Sequence, residues 1–424
     1  MRHAWWLMTL VLAASPTFAA AQNEGAAAPV EVEATETPAE PVLEAPSSEV
    51  PVPEAPSPEE AEPVEDSHDW IDDLSLAVFV DAYAAEHWTL PNGFAGDHQT
   101  QLPQRVYDTN GGPSVSLIGV SASYAPQPIG ATLSLRFGTG ENRWLGTLSG
   151  LPQGLQFLHQ AFVSWRPIDQ LQIDFGEFTT PFGGEVGETW LNCTYTLGSL
   201  FQLVQPFYHA GFRAEWQPYA WLTLTAIAVN GYNDIVDNNE GKSGGLQLTM
   251  SFSPVVVSVG YMTGPEQAAV AGVNGVDGRM RHLVDAIVTL DMDPVRLVLN
   301  ADYRTEDMGG NWTTLFGPMQ TSAPGTPQYQ TLWGVSLAGT VRLVDALRLG
   351  ARVEYVGQPD IEIRNGRDLV TGTFTIDVRP IEHLVIRLDN RIDWLSAPLF
   401  ADVTTTGAMQ FVASTILGIV VHSN

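Results

Sequence analysis

The sequence predicts an all-β protein, a transmembrane antiparallel up-and-down β-barrel of about 16 strands. Three observations carry that expectation. From Leu74 onward, segments of roughly 8–12 residues alternate apolar and polar side chains, the period of a strand with two unlike faces. The connections between them alternate in length, long then short. No segment beyond the N-terminal leader approaches the roughly 18 consecutive apolar residues of a spanning helix. In lipid every backbone polar group must be paired internally, so a membrane chain without helical spans closes into a barrel.

Sixteen segments lie near 75–86, 115–125, 129–138, 157–166, 170–178, 206–217, 220–230, 244–253, 255–263, 282–292, 294–304, 331–343, 346–357, 369–379, 382–394 and 409–422. Odd segments are followed by long connections: 87–114, 139–156, 179–205, 231–243, 264–281, 305–330, 358–368 and 395–408. Even segments are followed by tight ones, such as Pro126-Gln127-Pro128, Pro167 to Asp169, Pro218-Tyr219 and Pro380-Ile381. Proline suits these positions because they need no ladder donor. Short turns belong on the periplasmic side of a bacterial barrel and long loops outside. A soluble sandwich has no reason to sort loop lengths by parity.

Facing agrees. In 294–304, Val295, Leu297, Leu299, Ala301 and Tyr303 share one face, and Arg296, Asn300, Asp302 and Arg304 share the other with Val298. In 382–394, Leu384, Ile386, Leu388 and Ile392 oppose Arg387, Asp389, Arg391 and Asp393. Charges at every second position suit a wet lumen, not a packed core. Phe137, Phe178, Tyr261, Tyr303, Tyr355 and Trp394 close odd segments, while Trp165, Trp216 and Trp221 gather at the short-turn end. These are the expected interfacial girdles.

The chain has 424 residues and a net charge of −29. Residues 1–21 read as a secretory signal, with Arg2 and His3, an apolar run from Ala4 to Ala14, and a small-residue cleavage site near residue 21. Residues 22–73 are rich in proline and acid, with no lysine or arginine. Such a segment buries too little apolar surface to offset its ordering entropy and is expected to be a disordered periplasmic linker. Fully extended it spans on the order of 150 Å. Residues 74–424 are the expected barrel, placing the protein in the bacterial outer membrane with lipid as its surroundings. Nucleic-acid binding, which needs basic patches, is disfavoured.

Residues 160–266 hold the most distinctive motifs: Gln160 to Val163, Gly176-Glu177-Phe178-Thr179-Thr180-Pro181-Phe182-Gly183, Asn192, Tyr195-Thr196, Pro206-Phe207-Tyr208-His209-Ala210-Gly211, Asn230-Gly231-Tyr232, Asn238-Asn239, Lys242 and Gly264-Pro265-Glu266. In these the chain resembles the OmpL-like family of β-barrel porins. The resemblance implies an outer-membrane porin and names no solute. One departure is the ending Val421-His422-Ser423-Asn424, where such barrels often close on an aromatic residue.

In sixteen-stranded porins the loop at the place of 179–205 folds inward and narrows the pore, so the resemblance suggests the same here. The sequence agrees: Gly183, Gly184 and Gly187 permit tight turns, Thr189 to Val204 has room for a short helix with buried aromatics, and so apolar a loop should be packed on something. The alternative is a surface hairpin lid. Glu185 and Glu188 on this loop are expected to face Arg348, Arg352, Arg387 and Arg391 across the constriction, a transverse field that tunes ion selectivity. Arg136, Arg213, Arg296 and Asp302 are expected to line the pore, and His209 to latch the loop. Local pairing, for example Arg213 with Glu215, is the alternative for each charge.

Catalysis and metal binding find little support. The histidines form no close ligand pair, and Asp237-Asn238-Asn239-Glu240-Gly241 lacks the spacing of a twelve-residue calcium loop. No serine elbow, phosphate loop or cofactor motif is present, and Cys193, the single cysteine, reads as a small buried residue. Two functions therefore remain. One is a passive channel for small hydrophilic solutes or ions. The other is a structural envelope barrel whose acidic tether contacts a periplasmic partner. Assembly as monomer or trimer stays open.

Overall fold

The computed structural model describes residues 73–423 apart from 96–97, 99–101, 103, 141–154, 238, 240, 267–278, 308–310, 313–319, 322–328, 358–367, 399 and 402–407. The expected signal segment and all of the expected linker but Asp73 lie outside the described residues.

Sixteen strands form one closed barrel. They are β1 (Leu74–His87), β2 (Gly112–Tyr124), β3 (Ile129–Phe137), β4 (Leu158–Ile168), β5 (Leu171–Thr179), β6 (Tyr208–Tyr219), β7 (Leu222–Val229) and β8 (Ser243–Phe252), followed by β9 (Val255–Pro265), β10 (Met280–Met292), β11 (Val295–Asp307), β12 (Tyr329–Val344), β13 (Leu347–Gly357), β14 (Leu369–Ile381), β15 (Leu384–Leu395) and β16 (Phe411–His422). Each pairs antiparallel with its sequence neighbours, and β1 closes on β16 with Phe79 opposite His422 and His87 opposite Ser414. Two-residue ladders, Asn311–Trp312 with Gln320–Thr321 and Phe400–Ala401 with Ala408–Met409, stand outside the wall. Each expected segment overlaps one strand, with ends displaced by up to three residues: β2 starts three residues earlier than expected, β10 and β12 two earlier, β6, β7, β15 and β16 two later, and β11 runs three residues later.

The period of two sets the two faces. On β11, Leu297, Leu299 and Tyr303 are exposed outward while Val298, Asn300 and Asp302 are buried inward. Large apolar side chains cover the outside all round, among them Leu76, Phe175, Phe212, Leu246, Val353 and Ile419. That outer coat is the lipid face of such a barrel. Phe137, Tyr261, Tyr303 and Trp394 are exposed at the long-loop end, and Trp165, Trp216 and Trp221 at the short-turn end. Phe178 departs from the expected girdle. It is fully buried, pointing inward with the Arg213 guanidinium 4.7 Å from its ring centre.

The lumen is not wet throughout. Arg387, Asp389, Arg391 and Asp393 face inward as expected, yet they are buried. Other inward-facing positions are apolar: Val385 on the same strand and Val412, Ile416 and Val420 on neighbouring β16. Two long connections cover this wall. The 88–111 connection buries Leu90 and Leu102 in one cluster with Leu369, Leu395 and Val412. The 180–207 connection buries Trp190, Tyr195 and Phe201 in a second cluster with Val385, Ile416 and Val420.

Candidate pore constriction

The 180–207 loop leaves the wall where β5 meets β6. Gly176 and Gly211 face each other there, with φ of 141° and 155°. A Cβ at Gly176 would stand 2.1 Å from the Ala161 carbonyl oxygen, and one at Gly211 would stand 2.3 Å from that of Ala228. Only glycine supplies this conformation and this close approach, at the strand pair from which the loop leaves the wall. The Thr180 N–H donates to the Phe207 carbonyl (3.0 Å) and closes the loop's neck. His209 bridges the same neck. Its Nδ1 lies 3.1 Å from the Gly231 carbonyl, which can only accept, so Nδ1 carries the proton and Nε2 accepts from the Thr180 hydroxyl (3.1 Å).

From the neck the loop crosses to the far wall and is tied at each step. The Gly184 N–H donates to Asn300 (3.0 Å), and the Gln205 amide donates to Asp302 (2.7 Å). Asp81 on β1 accepts from Thr189 (2.7 Å) and from the Tyr195 hydroxyl (2.6 Å). Arg387 donates to the carbonyls of Thr189 (2.7 Å) and Thr194 (3.0 Å), Arg352 to that of Thr196 (2.5 Å), and Arg391 to that of Leu197 (2.7 Å). Asp389 accepts from the Thr196 N–H (2.8 Å). The loop's one α-helix, α1 (Ser199–Val204), starts against Glu354, whose carboxylate accepts the N–H groups of Ser199 (3.0 Å) and Leu200 (3.3 Å). A carboxylate placed there meets otherwise unpaired donors. Gly198 leaves room for it, since a Cβ would come within 2.3 Å of a Glu354 oxygen.

The acidic side chains of the loop are paired separately. Glu185 binds Arg352 (2.6 Å) and accepts the Gly198 N–H (2.6 Å), whereas Glu188 binds Arg136 on β3 (2.9 Å). Burial alone would raise the Glu188 carboxyl, but Arg136 outweighs it and holds the group below its ordinary value. Between the loop and the wall of β11 to β15 lies a cavity of about 360 Å³. Its lining includes Glu185, Cys193, Arg296, Arg348, Glu354 and Asp377.

The comparisons with known proteins agree with this architecture. A family model described as "Putative beta-barrel porin-2, OmpL-like" matches residues 74–420. The chain belongs to this porin family. No curated protein sequence matches it. Among solved structures, the outer membrane channel DcaP of Acinetobacter baumannii is similar at a TM-score of 0.55 and 11% identity, over 82% of this chain and 96% of that one. An anion-selective porin from Comamonas acidovorans is similar at 0.54 and 10% identity, over 82% and 99%. Salmonella typhi OmpF, in a complex with daunomycin, is similar at 0.51 and 13%, over 82% and 97%. At these identities the likeness is one of fold. The family establishes an outer-membrane β-barrel of the porin kind.

Within this OmpL-like porin the expected site residues fall into distinct places. Arg352, Arg387 and Arg391 lie beneath the loop, bonded to its backbone; of the expected pairs Arg352 meets Glu185 directly (2.6 Å), while Arg387 and Arg391 meet neither loop glutamate. The loop descends onto them because its own carbonyls need donors. Arg348 and Arg296 line the cavity. Arg136 holds Glu188, and Asp302 holds Gln205. Arg213 is elsewhere, bound through two nitrogens to Asp174 (2.9 and 2.6 Å), not to Glu215. Sequence reasoning missed the second filling loop, where Arg105 binds Asp393 (2.8 Å) and Asp108 (2.7 Å), fully enclosed. Its signal was present in the apolar Leu90, Leu102, Val106 and Tyr107 of a connection treated only as long. It also missed Asp81 and Glu354, whose lumen-facing carboxylates fix the loop. Among the described residues no group of three or more histidine, cysteine or carboxylate side chains is arranged to hold a metal ion.

Proposed function

We propose that this OmpL-like barrel is a passive channel in the bacterial outer membrane for small hydrophilic solutes or ions, narrowed by the 180–207 loop. The observation that carries the proposal is the cavity between that loop and the β11–β15 wall, lined by charged and amide side chains. Unlike the enclosed pairs Arg105–Asp393 and Arg213–Asp174, its Arg296 and Arg348 have no ion-pair partner among the described residues. Glu185 and Glu188 with Arg348, Arg352, Arg387 and Arg391 supply the charge at the constriction, Arg136, Arg213, Arg296 and Asp302 the charge along the lumen, and His209 the latch. Residues 1–21 serve as the export signal, 22–73 as the periplasmic linker and 74–424 as the barrel. The similar channel and anion-selective porin support this role, and one similar structure, of Vibrio cholerae OmpT, is described as a trimer form.

Planar-bilayer recording of the refolded chain tests the proposal. Discrete open levels are expected, and replacing Glu185 and Glu188 with glutamine should move selectivity toward anions in dilute salt. Charges more than about 8–10 Å apart are screened at physiological salt, so the shift should fade as salt rises. One observation favours a second reading, an envelope anchor whose acidic tether holds a periplasmic partner. Two long connections, 88–111 and 180–207, pack into the lumen. An electrically silent barrel would support the anchor over the channel.

A further inference from the structure

We propose that the cavity under the inward loop is a binding site for a small oxyanion, held by Arg296 and Arg348. This inference deepens the channel reading by naming a solute class.

The two arginines are the second residues of β11 and β13, at the short-turn end of the wall. Both line the cavity, and the Nε of each is enclosed without an acceptor. Arg296 pairs across the sheet with Asp291 and Thr340, and Arg348 with Arg342 and Asp377. Neither has a carboxylate within ion-pair distance among the described residues. The nearby acids are engaged elsewhere. Asp377 is held by Arg387 (2.8 Å) and Arg379 (3.1 Å), Glu185 by Arg352 (2.6 Å), and Glu354 by Arg352 (3.1 Å) and the start of α1.

Charge accounting points the same way. The cavity is lined by three carboxylates (Glu185, Glu354 and Asp377) and four arginines (Arg296, Arg348, Arg379 and Arg387). Arg352, beneath it, pairs with two of those carboxylates. Two positive charges therefore remain uncompensated, and they belong to Arg296 and Arg348. Each arginine is half-buried with its Nε enclosed; an enclosed N–H without an acceptor is costly, and a mobile oxyanion reaching it relieves that cost. The planar fork of a guanidinium matches the oxygen pairs of phosphate, sulfate and carboxylate. The neighbouring Asn300, Ser336 and Thr340 supply further polar edges. A cavity of about 360 Å³ has room for an ion of that size.

Equilibrium dialysis of labelled inorganic phosphate against the refolded full chain tests the site. Saturable binding is expected, weakened by about tenfold or more in the R296Q/R348Q variant, about 1.4 kcal/mol, and unchanged in R342Q, whose side chain lies outside the cavity. No binding by the native chain, or equal binding by the double variant, overturns the inference. A second readout needs no variant. Cys193 lines the same cavity, so an anionic methanethiosulfonate should label it faster than a cationic one, and phosphate should slow the anionic reagent. Equal rates, or no effect of phosphate, overturn the site. Failure of the channel reading is distinguishable. A barrel that binds phosphate but never conducts sinks the channel and keeps the site. A conducting barrel whose chloride current responds to phosphate identically in native and double-variant form sinks the site and keeps the channel.

Discussion

Arg352, Arg387 and Arg391 stand on the same barrel wall as Arg296 and Arg348, and all five point inward, yet they do different things. The first three are buried beneath the inward loop, and each donates to a loop carbonyl. The other two stand at the short-turn end and line the cavity under the loop without bonding its backbone, and their Nε atoms have no acceptor. A lumen-facing charge is therefore tied into the structure where a loop's backbone covers it, and under the proposal above it serves the solute where none does. Position on the strand sets the face, and the loop sets the role.

Removing the cover should erase the difference. Deleting residues 183–200 takes away the carbonyls that Arg352, Arg387 and Arg391 bond, so water reaches the whole wall. Single-channel conductance should rise strongly, and selectivity should move toward anions because five arginines would face the lumen. Unchanged conductance after deletion would mean that the narrowest section lies elsewhere, most directly at the 88–111 loop.

Arg387→Met is the next largest effect. It strips donors from the Thr189 and Thr194 carbonyls and from Trp190, and leaves Asp377 with Arg379 alone. Removing one partner of a buried ion pair typically costs about 3–5 kcal/mol. Part of that cost should appear as loop release, read as new protease cleavage between residues 186 and 200 and as noisy current. Arg348→Met should leave cleavage at the native level, since it breaks no bond to the loop. Equal cleavage in the two variants would contradict the division between them.

The contrast also marks what the sequence made legible. Strand count, alternation and the parity of connections were readable because each follows from a local period or from chain length between periods. The inward loop was readable through its apolar content and the family resemblance. The pairing within the lumen was not. Arg213 shares a face with Glu215 on one strand, but Asp174 of the neighbouring strand stands directly opposite it. Phe178 closes its strand like a girdle aromatic, yet the period of two puts it on the inward face with Gln172 and Asp174, a local signal that its place at the strand end masked. The pairing depends on register and on which loop descends, and neither leaves a local pattern.

Glu188→Gln should have a smaller, pH-dependent effect. The folded carboxyl titrates below its ordinary value of 4.5. Its contribution is therefore fully present above that pH and is lost as pH falls through the lower folded value. At neutral pH the variant should lose about 1–3 kcal/mol, the range for a charge-assisted bond. Arg136 keeps its bond to Ser121 (3.1 Å) and its place over Phe79. On acidification the native barrel should approach the variant in thermal stability. A constant gap between the two from neutral pH down to about 2 would show that the Arg136–Glu188 charge pair is not what the substitution removes.

Arg342→Gln should have the smallest effect. Arg342 lies on β12 directly opposite Arg348, but its side chain is part-exposed at the short-turn rim and binds Asp293 and Asp345 of the adjoining turns. Both carboxylates are open to water, so screening and side-chain entropy leave the Asp293 pair worth at most about 1 kcal/mol. The backbone N–H of Arg342 donates to the Pro294 carbonyl (2.9 Å) whatever the side chain, so the turn should keep its register. The unfolding midpoint should stay within measurement error of the native value. Any change in current should be confined to low salt, where a rim charge still acts over distance. A loss of stability comparable to that of Arg387→Met would mean that the rim arginine is built into the wall as firmly as those beneath the loop, and the line between structural and solute-facing arginines would have to be drawn elsewhere.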